Sequence, residues 1–394
     1  ENLVSGSVEN TFIGHMAAGN GTITDAADNN IAIGFKSLFD LTTAADNVAL
    51  GHKSGFDITT GSSNTIVGSG AGIGLTTAQR TVLMGAGAGA GILVGDGTTD
   101  DTTADGFVAI GYAAGSANVS GIGNTAVGYQ ALKVEDDGDM NTAIGYSALV
   151  SQTGTTGTVG NTAVGYYAGG SIAKGLGNTA IGRAALVSDD NGDKTTAVGA
   201  EALYRQNPAG TTNATTGNTG VGWSVGYFNV TGVDNTYIGY SAGLGATGNS
   251  NSNNVGVGSN ALLAITTGGS NTAVGYNAGL AIADVDDTVA IGTYALTSTA
   301  DSMGDGAVAV GAFALRDLNT SGSNGTTGVG YKAGTELTTG INNTMFGRLT
   351  LATATTALNN VAIGTSAMEA VKTATAVDGC VAIGALALLG NSSN

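Results

Sequence analysis

The stretch Asn124-Thr125-Ala126-Val127-Gly128 returns seventeen residues later as Asn141-Thr142-Ala143-Ile144-Gly145, and the same phrase runs through the whole chain. Indexed by its Gly, it occurs 21 times between Gly14 and Gly384. Twelve of the 20 intervals are 17 residues, and the others are 19, 20, 23 or 26. The excess falls in Gly, Thr, Asp and Asn runs such as Asp96 to Gly106 and Asn207 to Gly217. Insertions confined to turn residues are the mark of a coil with a fixed body and variable loops.

The columns of the repeat carry the physics. Three residues before the Gly every copy is β-branched, Thr in 12 and Val or Ile in 9. One residue before it every copy is apolar, and between them 16 of 21 are Ala or Gly. Period-two alternation with β-branched residues reads as a strand, with the outer two positions on one face and the middle one on the other. We assign the Val, Ile and Thr ladder to the interior, with Val127, Ile144, Val164, Ile181, Val274 and Ile291 as core. The small ladder, Ala126, Ala143, Ala163, Ala180, Ala273 and Ala290, is assigned to a close-packed seam with another chain or another part of this one. Four residues before the Gly, 14 copies carry Asn, suited to a turn and to amide ladders along a coil axis. Three residues after it, 17 copies carry Ala, followed by Leu or Gly, which reads as a second short strand closing the coil. The expected fold is all-β: a parallel β-solenoid of about 21 coils with 17–20-residue repeats, one continuous domain over 1–394.

Composition narrows the function. Of 394 residues 68 are Gly, with one Pro, one Cys and two His. One Cys excludes a disulfide framework and a Cys-based zinc site. Twelve Lys and Arg against 29 Asp and Glu give a net charge of −17. That argues against nucleic acid and against anionic lipid surfaces. No stretch approaches 18 apolar residues, so no membrane insertion is expected. The chain opens on Glu1 with no visible signal peptide, as a processed product or an excerpt would.

Phrases such as Asn30-Ile31-Ala32-Ile33-Gly34 and Asn47-Val48-Ala49-Leu50-Gly51 resemble the head repeats of trimeric autotransporter adhesins, the YadA-like left-handed β-roll. The 17-residue spacing with Gly145-Tyr146-Ser147-Ala148-Leu149 is similar to bacteriophage tail-fibre shafts. The resemblance covers Asn10 to about Leu389. It implies a left-handed, side-by-side homotrimer on a virion or cell surface, and a host glycan or protein as partner. The sequence departs from the adhesin pattern in its longer coils, in Thr at an inner position, and in showing no stalk, neck or anchor.

Single residues were weighed for chemistry. His15 and His52 follow a motif Gly and lack a third metal ligand, so they read as substitutes for the usual Tyr. The acidic runs with Asp136, Asp137, Asp139, Asp189, Asp190 and Asp193, and Asp284 to Asp287, are weak calcium candidates beside the plainer reading of solvated turns. Tyr112, Tyr129, Tyr146, Tyr166, Tyr240, Tyr276 and Tyr331 share a column with Trp223. They would either stack on glycans or cover the turn. Cys380 reads as a small packed thiol. No catalytic constellation, phosphate loop or cofactor motif is present, so no enzyme is expected. The expected role is a structural and adhesive fibre segment. The alternatives are a bacterial adhesin head and a monomeric ligand- or ice-binding solenoid, the last favoured if Thr125, Thr142 and Thr179 face solvent.

Overall fold

A computed structural model describes residues 9–91, 104–135, 137–153, 157–208, 214–248, 250–297, 305–319, 325–371 and 378–390. Among them the chain is all-β, a parallel β-solenoid of about 20 turns with no helix. It divides into two compact units, Glu1–Thr195 with Gly210–Ala214, and Thr196–Ala209 with Thr215–Asn394.

In each unit the motif forms a three-residue strand that pairs in parallel with the strand of the next coil. In the first unit Thr125–Val127 lies on Thr142–Ile144 in the register Thr125 to Thr142, Ala126 to Ala143 and Val127 to Ile144. In the second, Thr272–Val274 lies on Val289–Ile291 in the same manner. Like therefore stacks on like, and the sequence columns become physical rows.

The motif Gly ends the strand for two reasons. Its φ is far positive, +136° at Gly145. A Cβ there would also lie 2.3 Å from the carbonyl oxygen of Gly165 in the next coil. Only Gly satisfies both the angle and the approach.

The side opposite the strand differs from expectation. It is a run of turns, not a second strand. Positive φ recurs at the second and fourth residues after the Gly, as at Ser147 (+52°) and Leu149 (+48°). This alternation lets amides point both ways along the stack. The Ser147 N–H donates to the Tyr129 carbonyl at 2.9 Å, and the Leu149 N–H donates to the Ala168 carbonyl at 3.0 Å. Both flanks of the coil are thereby hydrogen-bonded to its neighbours.

The core also inverts the expectation. Ala126, Ala143, Ala163, Ala180, Ala273 and Ala290 are buried within the single chain, so they do not form an inter-chain seam. The positions read as core point outward: Ile144, Ile181, Val274 and Ile291 are 37–39% exposed, and Val127 and Val164 are half-buried. The reason is volume. The interior is a slot one side chain deep, already filled from the turn side by Leu132, Leu149, Leu186 and Leu203 in the first and second units. A Cβ on Gly220 would meet Leu203 Cγ at 3.0 Å and Val225 Cγ2 at 2.9 Å. The strand must be small inside because the turn is large there.

Where the strand position is large, the turn gives way. Tyr237 is fully buried, and its ring sits 2.5 Å from where a Cβ of Gly243 would be. The Leu-or-Gly choice four residues after the motif Gly is thus a packing complement to its neighbours.

A buried amide ladder joins the coils. Asn47 Oδ1 accepts from the Asn64 N–H and Nδ2, both at 3.0 Å. Asn47 Nδ2 donates to Asn30 Oδ1 at 3.1 Å and to the Gly61 carbonyl at 3.0 Å. Asn271 and Asn254 repeat the arrangement in the second unit. The Asn column thus does form the expected ladder.

Candidate functional site

The outward strand face is the first candidate. In each unit it presents two parallel rows, mostly Thr or Val in one and mostly Val or Ile in the other, half-buried or exposed. Thr125, Thr142 and Thr179 lie in the first of these rows, and each is half-buried. Outward rows of aliphatic side chains on a parallel sheet are unusual, because parallel sheets are ordinarily covered on both faces.

The second candidate is the aromatic column after the Gly. Its rings stack along the coil direction. His15, Phe35 and His52 form one stack with centroid spacings of 5.6 and 5.4 Å, so both His residues do take the place of the usual Tyr. Tyr112, Tyr129, Tyr146 and Tyr166 form another at 5.3, 4.9 and 5.3 Å. In the second unit Trp223 stacks on Tyr240 at 4.9 Å and 13°. Inside a stack each ring face is used by the next ring, and only edges meet water. A sugar cannot slip onto the face of Tyr129 or Tyr146. Free faces exist only where a stack ends.

Five residues after the Gly, a second aromatic row was missed in the sequence. Phe39 stacks on Phe56 at 4.9 Å, and Tyr204 on Tyr227 at 4.8 Å. Cations lie over these rings, with Lys36 Nζ 4.6 Å from the Phe39 centroid and the Arg205 guanidinium 6.0 Å from that of Tyr227. Beside the first pair, burial and the Asp40 carboxylate push the Asp57 carboxyl above its ordinary range, and Lys53 pulls the other way.

The acidic residues serve the fold. Asp139 Oδ1 accepts the Ile122 N–H at 2.8 Å, and Asp193 Oδ1 accepts the Leu176 N–H at 2.8 Å. Asp137 takes the Ser120 hydroxyl at 2.6 Å, and Asp190 takes Asn191 Nδ2 at 3.1 Å. Asp189 is fully buried and accepts the Gly192 N–H at 2.7 Å. Asp136 lies outside the described residues. Among the described residues no group of three His, Cys, Asp or Glu side chains could hold a metal ion. Asp137, Asp139 and Asp193 thus accept from the neighbouring coil, and Asp189 and Asp190 from within their own turn, which fits the plainer reading of these acids as turn residues.

The capping role has a sequence signature. Seven residues after the motif Gly the side chain is buried: Leu41, Ile58 and Leu75 in some coils, Asn118, Glu135, Asp189 and Asn229 in others. The polar members accept a turn amide three residues on, as Asn118 does from Gly121 at 3.0 Å and Glu135 from Gly138 at 2.7 Å. Asn118 and Asn229, each of which opens an Asn-x-Ser/Thr triplet, are thereby buried turn caps. Cys380 is a free, half-buried thiol in the Asn column, its N–H held by Asn360 Oδ1 at 2.9 Å.

Compared with protein-family models, curated proteins and solved structures, the chain matches none.

Proposed function

We propose that this chain is a structural and adhesive segment of an extracellular fibre, on a virion or cell surface, whose copies associate side by side through the Thr, Val and Ile face, three to a bundle. The observation that carries the proposal is the outward face itself. Row after row of β-branched side chains stands in water on the single chain, with Ile144 and Ile181 39% exposed. Large contiguous apolar surfaces on a lone protein mark interaction sites. Rows that repeat with the coil suit a partner with the same repeat, which a second copy supplies. The role is mechanical, as shaft or head, with no catalytic step. Repetition lets weak contacts to a surface add by avidity. Sedimentation tests it: a mass near three times 38.1 kDa supports the bundle, and a 38.1 kDa species at micromolar concentration overturns it.

One observation favours a second reading. The Thr row faces outward, with Thr125, Thr142 and Thr179 half-buried. A monomeric chain with that face open would suit ordered water or ice. Thermal hysteresis from a sedimentation-proven monomer would support it.

A further inference from the structure

We propose that the tyrosine column is a site of oxidative cross-linking, at which a one-electron oxidant couples tyrosines of adjacent coils into dityrosine and ties coil to coil covalently. Tyr112, Tyr129, Tyr146 and Tyr166 stand one per coil, with ring centroids 5.3, 4.9 and 5.3 Å apart and planes within 9–19° of parallel. Their backbone is held in place. The Gln130, Ser147 and Tyr167 N–H groups donate to the carbonyls of Tyr112, Tyr129 and Tyr146, each at 2.9 Å. The rings are open to a dissolved reagent, since all four are 42–56% exposed. In the second unit Tyr204 and Tyr227 repeat the arrangement, half-buried, at 4.8 Å and 5°.

The chemistry follows from this spacing. A haem peroxidase fed with hydrogen peroxide removes one electron from each phenol, and the phenolic proton passes to water. Each phenoxyl radical shares its unpaired spin with the ring carbons ortho to oxygen. A carbon–carbon bond forms between one ortho carbon of each ring. The hydrogen on each joined carbon is then lost as a proton while the ring oxygen gains one, which restores two phenols. The peroxide takes up the two electrons and two protons and becomes two waters. Coupling requires the stacked rings to swing edge to edge. Exposed side chains change rotamer in picoseconds to nanoseconds, while the coil ladder keeps the two Cα positions together. Partners already side by side react far faster than groups on two chains that must first meet at micromolar concentration.

Such a link suits this chain. With one Cys it can form no internal disulfide, and a dityrosine between neighbouring coils closes a loop in the same way and restricts the unfolded state. Two other tyrosines mark the limits of the site. Tyr331 is 43% exposed, but the ring beside it is Phe313, 6.3 Å away and perpendicular, so its radical has no tyrosine to join. Tyr237 is fully buried and donates its hydroxyl to Asn251 Oδ1 at 2.6 Å, out of reach of a dissolved oxidant.

The inference does not depend on the fibre reading. The full chain at micromolar concentration is treated with haem peroxidase and limiting hydrogen peroxide. Dityrosine fluorescence, a denaturing gel and peptide mapping then follow, with sedimentation of the untreated sample. The expected result is dityrosine within single chains, each link lowering the mass by two hydrogen atoms, at a rate per chain that does not change with protein concentration. The links map to Tyr112–Tyr129, Tyr129–Tyr146, Tyr146–Tyr166 and Tyr204–Tyr227. Tyr129→Phe combined with Tyr166→Phe keeps every ring in the stack, abolishes the three links of the first column and leaves Tyr204–Tyr227. Links mainly between chains, links that involve Tyr331, or oxidised tyrosines without dityrosine each overturn the proposal. A trimer that forms no link within a chain overturns this site and leaves the fibre reading standing. A monomer that links its own coils does the reverse.

Discussion

Replacing Asn47 tests the ladder that joins the coils. The side chain is fully buried and makes four hydrogen bonds, two as acceptor from Asn64 and two as donor to Asn30 and Gly61. Asn47→Ala strands two backbone groups in the interior, the Asn64 N–H and the Gly61 carbonyl. Each buried, unsatisfied group costs about 1–3 kcal/mol, so the change costs about 2–6 kcal/mol locally. Global unfolding is a poor readout, because each coil touches only its neighbours and long repeat arrays lose cooperativity. Amide hydrogen exchange reads the site itself. The Asn64 amide is expected to exchange at least about 30-fold faster, since each 1.4 kcal/mol is tenfold. Asn47→Thr is the milder control. Thr326, in the same column, already donates to the Gly340 carbonyl at 3.3 Å. Asn47→Asp separates donor from acceptor. It keeps the oxygen facing Asn64 and turns a second oxygen toward Gly61 O and Asn30 Oδ1. Burial and those oxygens raise its folded pKa above the unfolded value of about 3.9. The native state then holds the proton longer. The variant is least destabilised below about pH 3.9 and loses stability as pH rises through the folded pKa. An Asn64 exchange rate within about threefold of the parent in Asn47→Ala would refute the ladder as a source of stability.

The strand-ending Gly is equally exposed to test. Gly145→Ala forces a Cβ toward the Gly165 carbonyl at a φ of +136°, and strain plus overlap costs about 2–6 kcal/mol, read as lost exchange protection over Thr142–Ile144 and Thr162–Val164. Lys at both Ile144 and Ile181 leaves the single-chain core intact because both side chains point outward, so circular dichroism should hold while the sedimenting mass falls to one chain. Burial pushes the Tyr237 phenol well above its ordinary range. Tyr237 should stay neutral when exposed tyrosines ionise near pH 10, and its contribution to stability should fall as pH rises above about 10, because only the unfolded state gives up that proton. Absorbance at 295 nm together with alkaline unfolding checks both.

The strand positions, the parallel register, the Gly column and the Asn ladder were all legible as columns, because a solenoid turns sequence period directly into stacking. The inside and outside of the strand were not. Hydrophobicity alone places Val and Ile inward, and that rule fails when the interior is too shallow to hold them. The missing signal was in the turn: Leu132, Leu149 and Leu203 recur four residues after the Gly and fill the slot by themselves. A second clue lay in the exceptions. Tyr237 in the small column is flanked by Gly226, Gly243 and Gly256, a complement that makes sense only if all of them share the interior. The turn side was misread as a strand because positive φ at Ser147 and Leu149 leaves no trace in residues that usually avoid it. The acids left two readings open in the sequence, turn residues and weak calcium ligands, because a capping Asp and a calcium-binding Asp look alike until the donors that face them are known.

The small core has a consequence for what the chain is for. Burying a Leu contributes about 1.5–3 kcal/mol and an Ala much less, so an inner strand position held by Ala or Gly in most coils gains little from burial. Hydrogen bonds add to it and tie each coil to the next, as the Thr142 N–H does to the Asn161 carbonyl at 2.8 Å, the Leu149 N–H to the Ala168 carbonyl at 3.0 Å and the Asn141 N–H to Asn124 Oδ1 at 2.7 Å. A monomeric solenoid selected for stability alone would put its larger aliphatic side chains inside. In most strands of both units this one keeps Ala or Gly at the inner position and places Val, Ile and Thr on the outer face. The arrangement gains only when something covers that face. The outer aliphatic face is thus a source of hydrophobic free energy that the single chain leaves unused. If Lys at Ile144 and Ile181 changed neither mass nor stability, the aliphatic face would be left with no physical role, and the fibre reading would lose its foundation.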